Sequence, residues 1–415
     1  MKVGMKMSKI RFIHTADLHL DSPFKGMENL PNKILKKIKE STFNSFAKIV
    51  DVAIDETVDF VLIVGDIFDG EDRSLMAQTR FRKEIERLYN NKIQVFISHG
   101  NHDHLGGNWI EISWPENVHI FSSENVTSKP FVKEGKPIAN IYGFSYSERA
   151  VRENKTEQYV KSGDAPYHIG MLHGNIDGNS DHDNYAPFTV RELLSKEFSY
   201  WALGHIHIKQ SLHNNPPIIY PGNIQGRHRK ELGEKGCYIV EIDELNTKTT
   251  FVNTAPLIWE AIEIAINDIT SYDDLCHYCE EKIKTIRSDS KAKLIHLQII
   301  GIGELHHLLQ DKQVVEELIS YLNEGEEGKD NFCLVTSSKI VTRENWDREA
   351  LKEKQHFTGE VLKMIESNED LIEEAISPLF THRKAKKYLE DLDEERKKEL
   401  IEKAEVELLM DLLRR

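Results

Sequence analysis

Five short segments of this chain hold residues that bind hard or borderline metal ions. They are Asp17-Leu18-His19, Gly65-Asp66 with Asp69 three positions on, Gly100-Asn101-His102-Asp103, His173-Gly174 and Gly204-His205-Ile206-His207. Their donors are carboxylate, amide oxygen and imidazole, with no thiolate. That set suits Mn, Fe or Zn, and also admits Mg, better than it suits a soft metal. In an extended segment residues i and i+2 point to one side, so Asp17 and His19 are expected to address one cation together. His205 and His207 could reach two neighbouring cations from one short loop. Asp66 has two carboxylate oxygens and can bridge a pair. Gly65, Gly100 and Gly204 have no Cβ, which lets backbone come close to the site. Alone, a D-x-H is commonly a surface turn and a G-N-H-D a capped loop. Five such segments in order point to one dinuclear centre.

The elements that must position these residues are legible in the apolar patterning. Residues 10–14, 60–64, 93–98, 139–144, 168–172 and 200–203 are dense in Val, Ile, Phe or Tyr and read as strands. Each candidate segment follows such a strand, in the crevice at strand carboxyl ends where open α/β sheets bind ligands. Residues 34–54 have helical spacing (Ile34, Ile38, Phe46, Ile49, Val50, Ala53), which makes the opening β-α-β. Shorter strands are expected at 218–220, 238–242 and 249–253. A mixed sheet, or two sheets packed face to face, fits this order better than a doubly wound parallel sheet.

The composition shifts near Pro256. Strands are expected at 259–266, 294–300 and 332–341, alternating with helices at 272–286 and 312–322. From residue 345 onward only helices are expected. The division is therefore 1–255 for the metal-binding domain, 256–344 for a small α+β capping domain and 345–415 for a helical region. In its tail Leu400, Ala404, Leu408 and Leu412 lie one turn apart, and Leu389, Ile401, Leu409 and Leu413 widen the stripe. Such a helix either packs on its own domain or docks a partner.

At 415 residues the chain exceeds one ordinary core, and 39% hydrophobic with 30% charged residues is a globular composition. The net charge of −15 argues against a nucleic-acid binder of the usual basic kind. Metal ligands inflate the acidic count, and bound dications reverse the local sign. No apolar run approaches the roughly 20 residues that span a bilayer, and the N-terminal segment lacks signal-peptide features. A cytoplasmic location with no membrane attachment is expected. Cys276 and Cys279 form a C-x-x-C without a second pair, inside a helical pattern, and read as structural thiols. Arg227, His228, Arg229 and Lys230 form a basic run close behind Tyr220-Pro221-Gly222-Asn223. That run is either a solvated loop or a grip on a phosphate backbone. His104 and His182 receive no role.

The order D-x-H, G-D, G-N-H-D, H-G and G-H-x-H resembles that of the calcineurin-like metallophosphoesterase superfamily. The opening IRFIHTADLHLDSPF and the YPGN segment at Tyr220–Asn223 resemble the SbcD branch of DNA-repair exonucleases, and within it the bacterial YhaO-type proteins. The resemblance is specific through about residue 255 and architectural beyond. It implies an α/β (α+β) fold, a four-layer αββα sandwich of two mixed sheets, followed by the capping domain. It implies two divalent metal ions, with Mn favoured. Asp17, His19, Asp66 and His207 would hold the first, and Asp66, Asn101, His173 and His205 the second. His102 would contact the scissile phosphate and protonate the leaving oxygen, with Asp103 orienting it. Asp69, Asn223, Arg227 and Arg229 are candidate substrate contacts. Asp69 stands where related nucleases often carry a histidine linked to exonuclease action, and it reads as a support for the site or a turn cap. The implied activity is metal-dependent hydrolysis of DNA phosphodiesters, by a homodimer with an SMC-like coiled-coil ATPase partner of the SbcC/YhaN type. The alternative is a phosphodiesterase or phosphomonoesterase acting on small esters.

Overall fold

A computed structural model describes residues 9–24, 27, 30–70, 74–107, 110, 112–178, 185–287, 291–346, 348–353, 356–367, 370–382 and 394–413. His182, Leu389 and the first part of the expected tail helix lie outside them. The chain forms two compact units. The first is 1–262 with 280–297 and 318–338, and the second is 263–279, 298–317 and 339–415.

The first unit opens with β1 (Ile10–Thr15), α1 (Asn32–Asp55), β2 (Phe60–Val64), α2 (Leu75–Asn90), β3 (Gln94–Ser98) and β4 (Val118–Ile120). It continues through β5 (Thr127–Lys133), β6 (Lys136–Gly143), β7 (Tyr167–His173), α3 (Val190–Ser195), β8 (Tyr200–Gly204), β9 (Gln210–Asn214), β10 (Pro217–Tyr220), β11 (Gly236–Ile242) and β12 (Thr247–Asn253). Two six-stranded sheets result, ordered β12-β11-β1-β2-β3-β4 and β5-β6-β7-β8-β10-β9. Both are mixed. β1 to β4 run parallel with β11 antiparallel to β1, and β6, β7, β8 and β10 run parallel with antiparallel β5 and β9 at the edges.

The continuous apolar runs have a physical reason: the central strands are covered on both faces. Alternate residues of β1 to β3 (Ile13, Val61, Ile63, Val95, Ile97) pack on Phe46, Ile49, Val50, Phe81 and Ile85 of α1 and α2. The other set (Phe12, Phe60, Leu62, Phe96) meets Ile141, Ile169, Met171 and Tyr200 of the second sheet. The outer face of that sheet, with Leu172, Trp201 and Leu203, is covered by Phe188, Leu193 and Phe198 around α3. The expected four-layer sandwich is the structure found. The helical spacing expected for α1 is also present, with all six of its apolar positions buried. The strand β5 escaped the sequence reading because it is an edge strand whose residues mostly face water.

A third sheet, ordered β13-β14-β15, joins β13 (Leu257–Ala265), β14 (Ala292–Ile302) and β15 (Cys333–Arg343). The helices between them are α4 (Tyr272–Ile286), α5 (His306–Leu309) and α6 (Lys312–Leu322). In the first unit Leu257, Trp259, Leu294, Phe332 and Leu334 pack against Ile34 and Ile38 of α1. Cys276 and Cys279 lie on α4 and form no disulfide, the second buried. The second unit ends in α7 (Arg348–Glu353), α8 (Phe357–Ser367), α9 (Asp370–Thr381) and α10 (Glu394–Leu413). Leu409 of α10 is buried with Leu351 and Leu362, whereas Leu400, Ala404 and Leu408 are exposed. No described helix is long and apolar enough to cross a membrane.

Candidate metal centre

The carboxyl ends of five parallel-running strands deliver the candidate residues to one place. β1 ends before Asp17 and His19, β2 before Asp66, β3 before Asn101 and His102, β7 at His173 and β8 before His205 and His207. Three strands belong to the first sheet and two to the second, so the centre forms where the sheets abut. Asp17 N–H donates to the Gly65 carbonyl at 3.2 Å and His19 N–H to the Asp66 carbonyl at 3.0 Å, which zips the first two loops together.

The extended conformation expected of Asp17 and His19 is absent. Their φ angles are 50° and 42°, and Asp66 and His205 have 50° and 99°. Left-handed backbone costs a non-glycine residue about 1–2 kcal/mol. It turns side chains inward at sharp bends where a strand would pass the site, and such strain is characteristic of functional loops. The convergence survives by this different route.

Asp17, His19 and His207 form one cluster, with donor atoms within 4.8 Å of one another. His19 Nε2 and His207 Nε2 are 3.1 Å apart, and His207 Nε2 is 4.0 Å from Asp17 Oδ1. A second cluster centres on Asn101 Oδ1, which lies 3.1 Å from His173 Nε2 and 3.2 Å from His205 Nδ1. Asp66 stands between them, with Oδ2 3.8 Å from His19 Nε2 and 3.5 Å from His173 Nε2. His205 and His207 thus serve different clusters, as their spacing allowed. Two imidazole nitrogens at 3.1 Å can share one proton at most. So many lone pairs converging in buried space call for cations, and this donor set fits hard or borderline divalent ions.

Close approach explains the glycines. A Cβ on Gly65 would come within 2.1 Å of His173 Nδ1, and Gly65 itself has φ +77°. A Cβ on Gly100 would lie 2.4 Å from Asp66 Oδ1 and 2.7 Å from His173 Nε2.

Electrostatics separate the clusters. Burial, helped by the Arg227 charge, pushes His19 down to about 3. Burial also disfavours charge on His173, but the nearby Asp66 and Asp17 carboxylates overcome it and lift the group to about 9. Burial would raise Asp66, yet the His173 charge and hydrogen bond hold it well below the usual carboxylate range. Asp17 is raised by its burial.

His102 is half-buried at the edge of both clusters. Its backbone N–H donates to Asp66 Oδ1 at 2.9 Å, and its ring meets the His19 ring edge-on with centroids 5.0 Å apart. Asp103, expected to orient His102, is held by several bonds. Its buried carboxylate accepts from Gly100 N–H at 2.8 Å and Ile67 N–H at 3.0 Å, and pairs with His99 Nδ1 at 3.0 Å. It shapes the loop, and His102 Nδ1 lies 3.4 Å from the Asp69 carbonyl.

Three expected substrate contacts, Asp69, Asn223 and Arg227, also bond to residues that support the site. The Asp69 carboxylate lies 2.9 Å from His19 Nδ1, accepts from Ser22 Oγ at 3.1 Å and pairs with Arg227. These bonds tie Asp69 to His19 and to Arg227. Asn223 is buried and donates to Glu231 Oε2 at 2.8 Å. Arg227 turns inward to Asp69 and reaches 3.4 Å from His207 Nδ1. Arg229 is exposed.

Glu231 and Lys235 were missed from sequence. Glu231 Oε1 lies 2.7 Å from His207 Nδ1, and Lys235 Nζ donates to the His207 carbonyl at 2.7 Å. A lone acid directly after a basic run was the available signal for Glu231; Lys235 had none. His14 was also missed. It is fully buried between the sheets, 2.9 Å from Tyr200 Oη and 3.1 Å from the Leu203 carbonyl.

Comparison with known proteins agrees with this geometry. Residues 10–209 match the calcineurin-like phosphoesterase family. The chain is 39% identical over 408 residues to the uncharacterized metallophosphoesterase YhaO of Bacillus subtilis, covering 98% of each. It is 23% identical over 320 residues to the DNA double-strand break repair protein Mre11 of Thermoplasma acidophilum, covering 72% of this chain and 79% of that one. With the Mre11 of Sulfurisphaera tokodaii it shares 25% over 239 residues, 55% of this chain and 59% of the other. Two mixed sheets with converging strand ends, two clusters of nitrogen and oxygen donors and near-full-length similarity to a metallophosphoesterase lead to one conclusion: this chain belongs to the calcineurin-like metallophosphoesterase family.

Proposed function

We propose that the protein is a metal-dependent DNA nuclease that hydrolyses phosphodiester bonds. The observation that carries the reading is the pair of clusters sharing Asp66, with the half-buried His102 beside them, grouped with His19 and Asp69. Asp17, His19, Asp66 and His207 would hold one divalent cation, and Asp66, Asn101, His173 and His205 the other. When bound, such a pair supplies Lewis-acid chemistry, neutralising phosphoryl oxygens and making water acidic. The donor set, free of thiolate, supports Mn, Fe, Zn or Mg, and the family resemblance favours Mn among them.

The chain's own residues do the rest. Asp66 Oδ1 holds the His102 backbone, which fixes where the imidazole stands. His102 donates a proton to the departing sugar oxygen, a role that needs a nitrogen not spent on a cation. The Asp69 carbonyl beside Nδ1 accepts that N–H, so the donated proton leaves Nε2 of the imidazolium and the ring ends neutral with its proton on Nδ1.

DNA as substrate is supported by the repair proteins among the relatives. The exposed Arg229 and Lys230 near the centre add basic groups for a phosphate backbone. Action on DNA in the cytoplasm, as a homodimer with a coiled-coil ATPase, extends the family resemblance. The outward apolar row Leu400, Ala404 and Leu408 on α10 offers a place for such a partner.

The test is degradation of single- and double-stranded DNA with Mn²⁺, run beside p-nitrophenyl phosphate and bis-p-nitrophenyl phosphate. Asp66→Ala is expected to lose both ions and all activity, because the shared carboxylate belongs to both clusters. Cleavage of the small esters alone, with and without the ATPase, would replace the nuclease reading with a general phosphoesterase.

A further inference from the structure

The two clusters are supported differently from behind. His173, in the second, directs Nδ1 at the Val64 carbonyl at 3.0 Å. Both histidines of the first cluster back onto carboxylates: His19 Nδ1 onto Asp69 at 2.9 Å and His207 Nδ1 onto Glu231 at 2.7 Å. One guanidinium ties these acids together. Arg227 pairs with Asp69 through Nη1 and lies 3.8 Å from Glu231 Oε1 through Nη2. Glu231 is the hub. It is 5% exposed, accepts from the Arg227 backbone N–H at 2.7 Å and Asn223 Nδ2 at 2.8 Å, and has His228 Nε2 at 3.3 Å.

From this belt we infer that Glu231 is a positioning residue for one half of the centre: it fixes the His207 tautomer so that the Nε2 lone pair faces Asp17 and His19. A carboxylate on the far nitrogen of a ligating imidazole sets ring orientation and makes the ligand more basic. Asp69 does the same for His19, and Arg227 balances the two negative charges so that neither carboxylate is buried unpaired. Because the belt touches neither His173 nor Asn101 among the described contacts, its effect is confined to the first half.

The inference rests on the proposed two-cation reading but not on DNA as substrate. It is tested by calorimetric titration of Mn²⁺ into the metal-stripped full chain, with bound metal counted by elemental analysis. Wild type is expected to take two ions. Glu231→Ala is expected to keep one and to bind the other ~10–100-fold more weakly. Glu231→Gln retains an acceptor for the His207 N–H and should recover part of the loss. Asp69→Asn, which acts through His19, should weaken the same ion and guards against a misfolded alanine variant. Equal weakening of both ions, or an alanine variant indistinguishable from wild type, overturns the inference. A wild-type protein that binds no Mn²⁺ overturns the two-cation reading and the inference with it.

Discussion

The two halves of the centre share Asp66 and are built on opposite plans. The half around His19 and His207 is held by side chains: Asp69, Arg227 and Glu231 stand behind its imidazoles. The half around Asn101, His173 and His205 is held by backbone. The Val64 carbonyl receives His173 Nδ1, Tyr146 Oη grips the His173 carbonyl at 2.8 Å, and Gly65 and Gly100 leave room for the ring. A backbone-held imidazole is as rigid as its sheet. A carboxylate-held one is tunable, since one substitution in the loop alters it without disturbing the strands. The contrast extends to charge. His19, beside Arg227, sits at about 3, whereas His173, beside two carboxylates, sits at about 9.

The harshest way to break the comparison is to fill the space that the backbone-held half depends on. Gly100→Ala puts a methyl group 2.4 Å from Asp66 Oδ1 and 2.7 Å from His173 Nε2. Its effect on Mn²⁺ binding at the second half should exceed the ~10–100-fold expected for a lost supporting contact. If titration shows the first half to be the more damaged, the assignment of Asn101 and His173 to a separate half fails.

His102→Ala tests the residue placed in neither half. Both ions should remain bound, and turnover of bis-p-nitrophenyl phosphate or DNA should fall by ~10²–10⁴-fold, the usual range for a lost general acid. Loss of either ion would make His102 a ligand and redraw the halves.

The smallest effect concerns what joins them. His14 links β1, which leads to Asp17 and His19, to Tyr200 and Leu203 of β8, which leads to His205 and His207. Burial holds its imidazole down to about 3, so it is neutral in the folded protein and protonates near 6.5 when unfolded. Between those values the unfolded chain binds the extra proton. Stability is whole above pH 6.5 and falls as pH drops, by about 1.4 kcal/mol per unit from this group. Denaturant unfolding at pH 7, 6 and 5 should show that much less acid loss in His14→Gln. Equal slopes would mean that His14 is not buried neutral as described.

Much of this molecule is legible in its sequence. The central strands announce themselves because they are buried on both faces and so carry unbroken apolar runs. The five donor segments announce themselves because ligands gather where such strands end. Residues such as Asp17, His19, Asp66, Asn101, His173, His205 and His207 therefore follow from type and position along the chain. Tertiary structure alone decided which of them face each other: the pairing of His207 with His19 and of His205 with His173 depends on two sheets packed face to face. It also decided the left-handed turns at Asp17 and His19, which no i, i+2 rule contains. The inward assignments of Asp69, Asn223 and Arg227, and the existence of the Glu231 hub, belong to the same class. Surface loops give little pattern, and an ion pair between positions 69 and 227 is a fact about distance in space that separation along the chain does not encode.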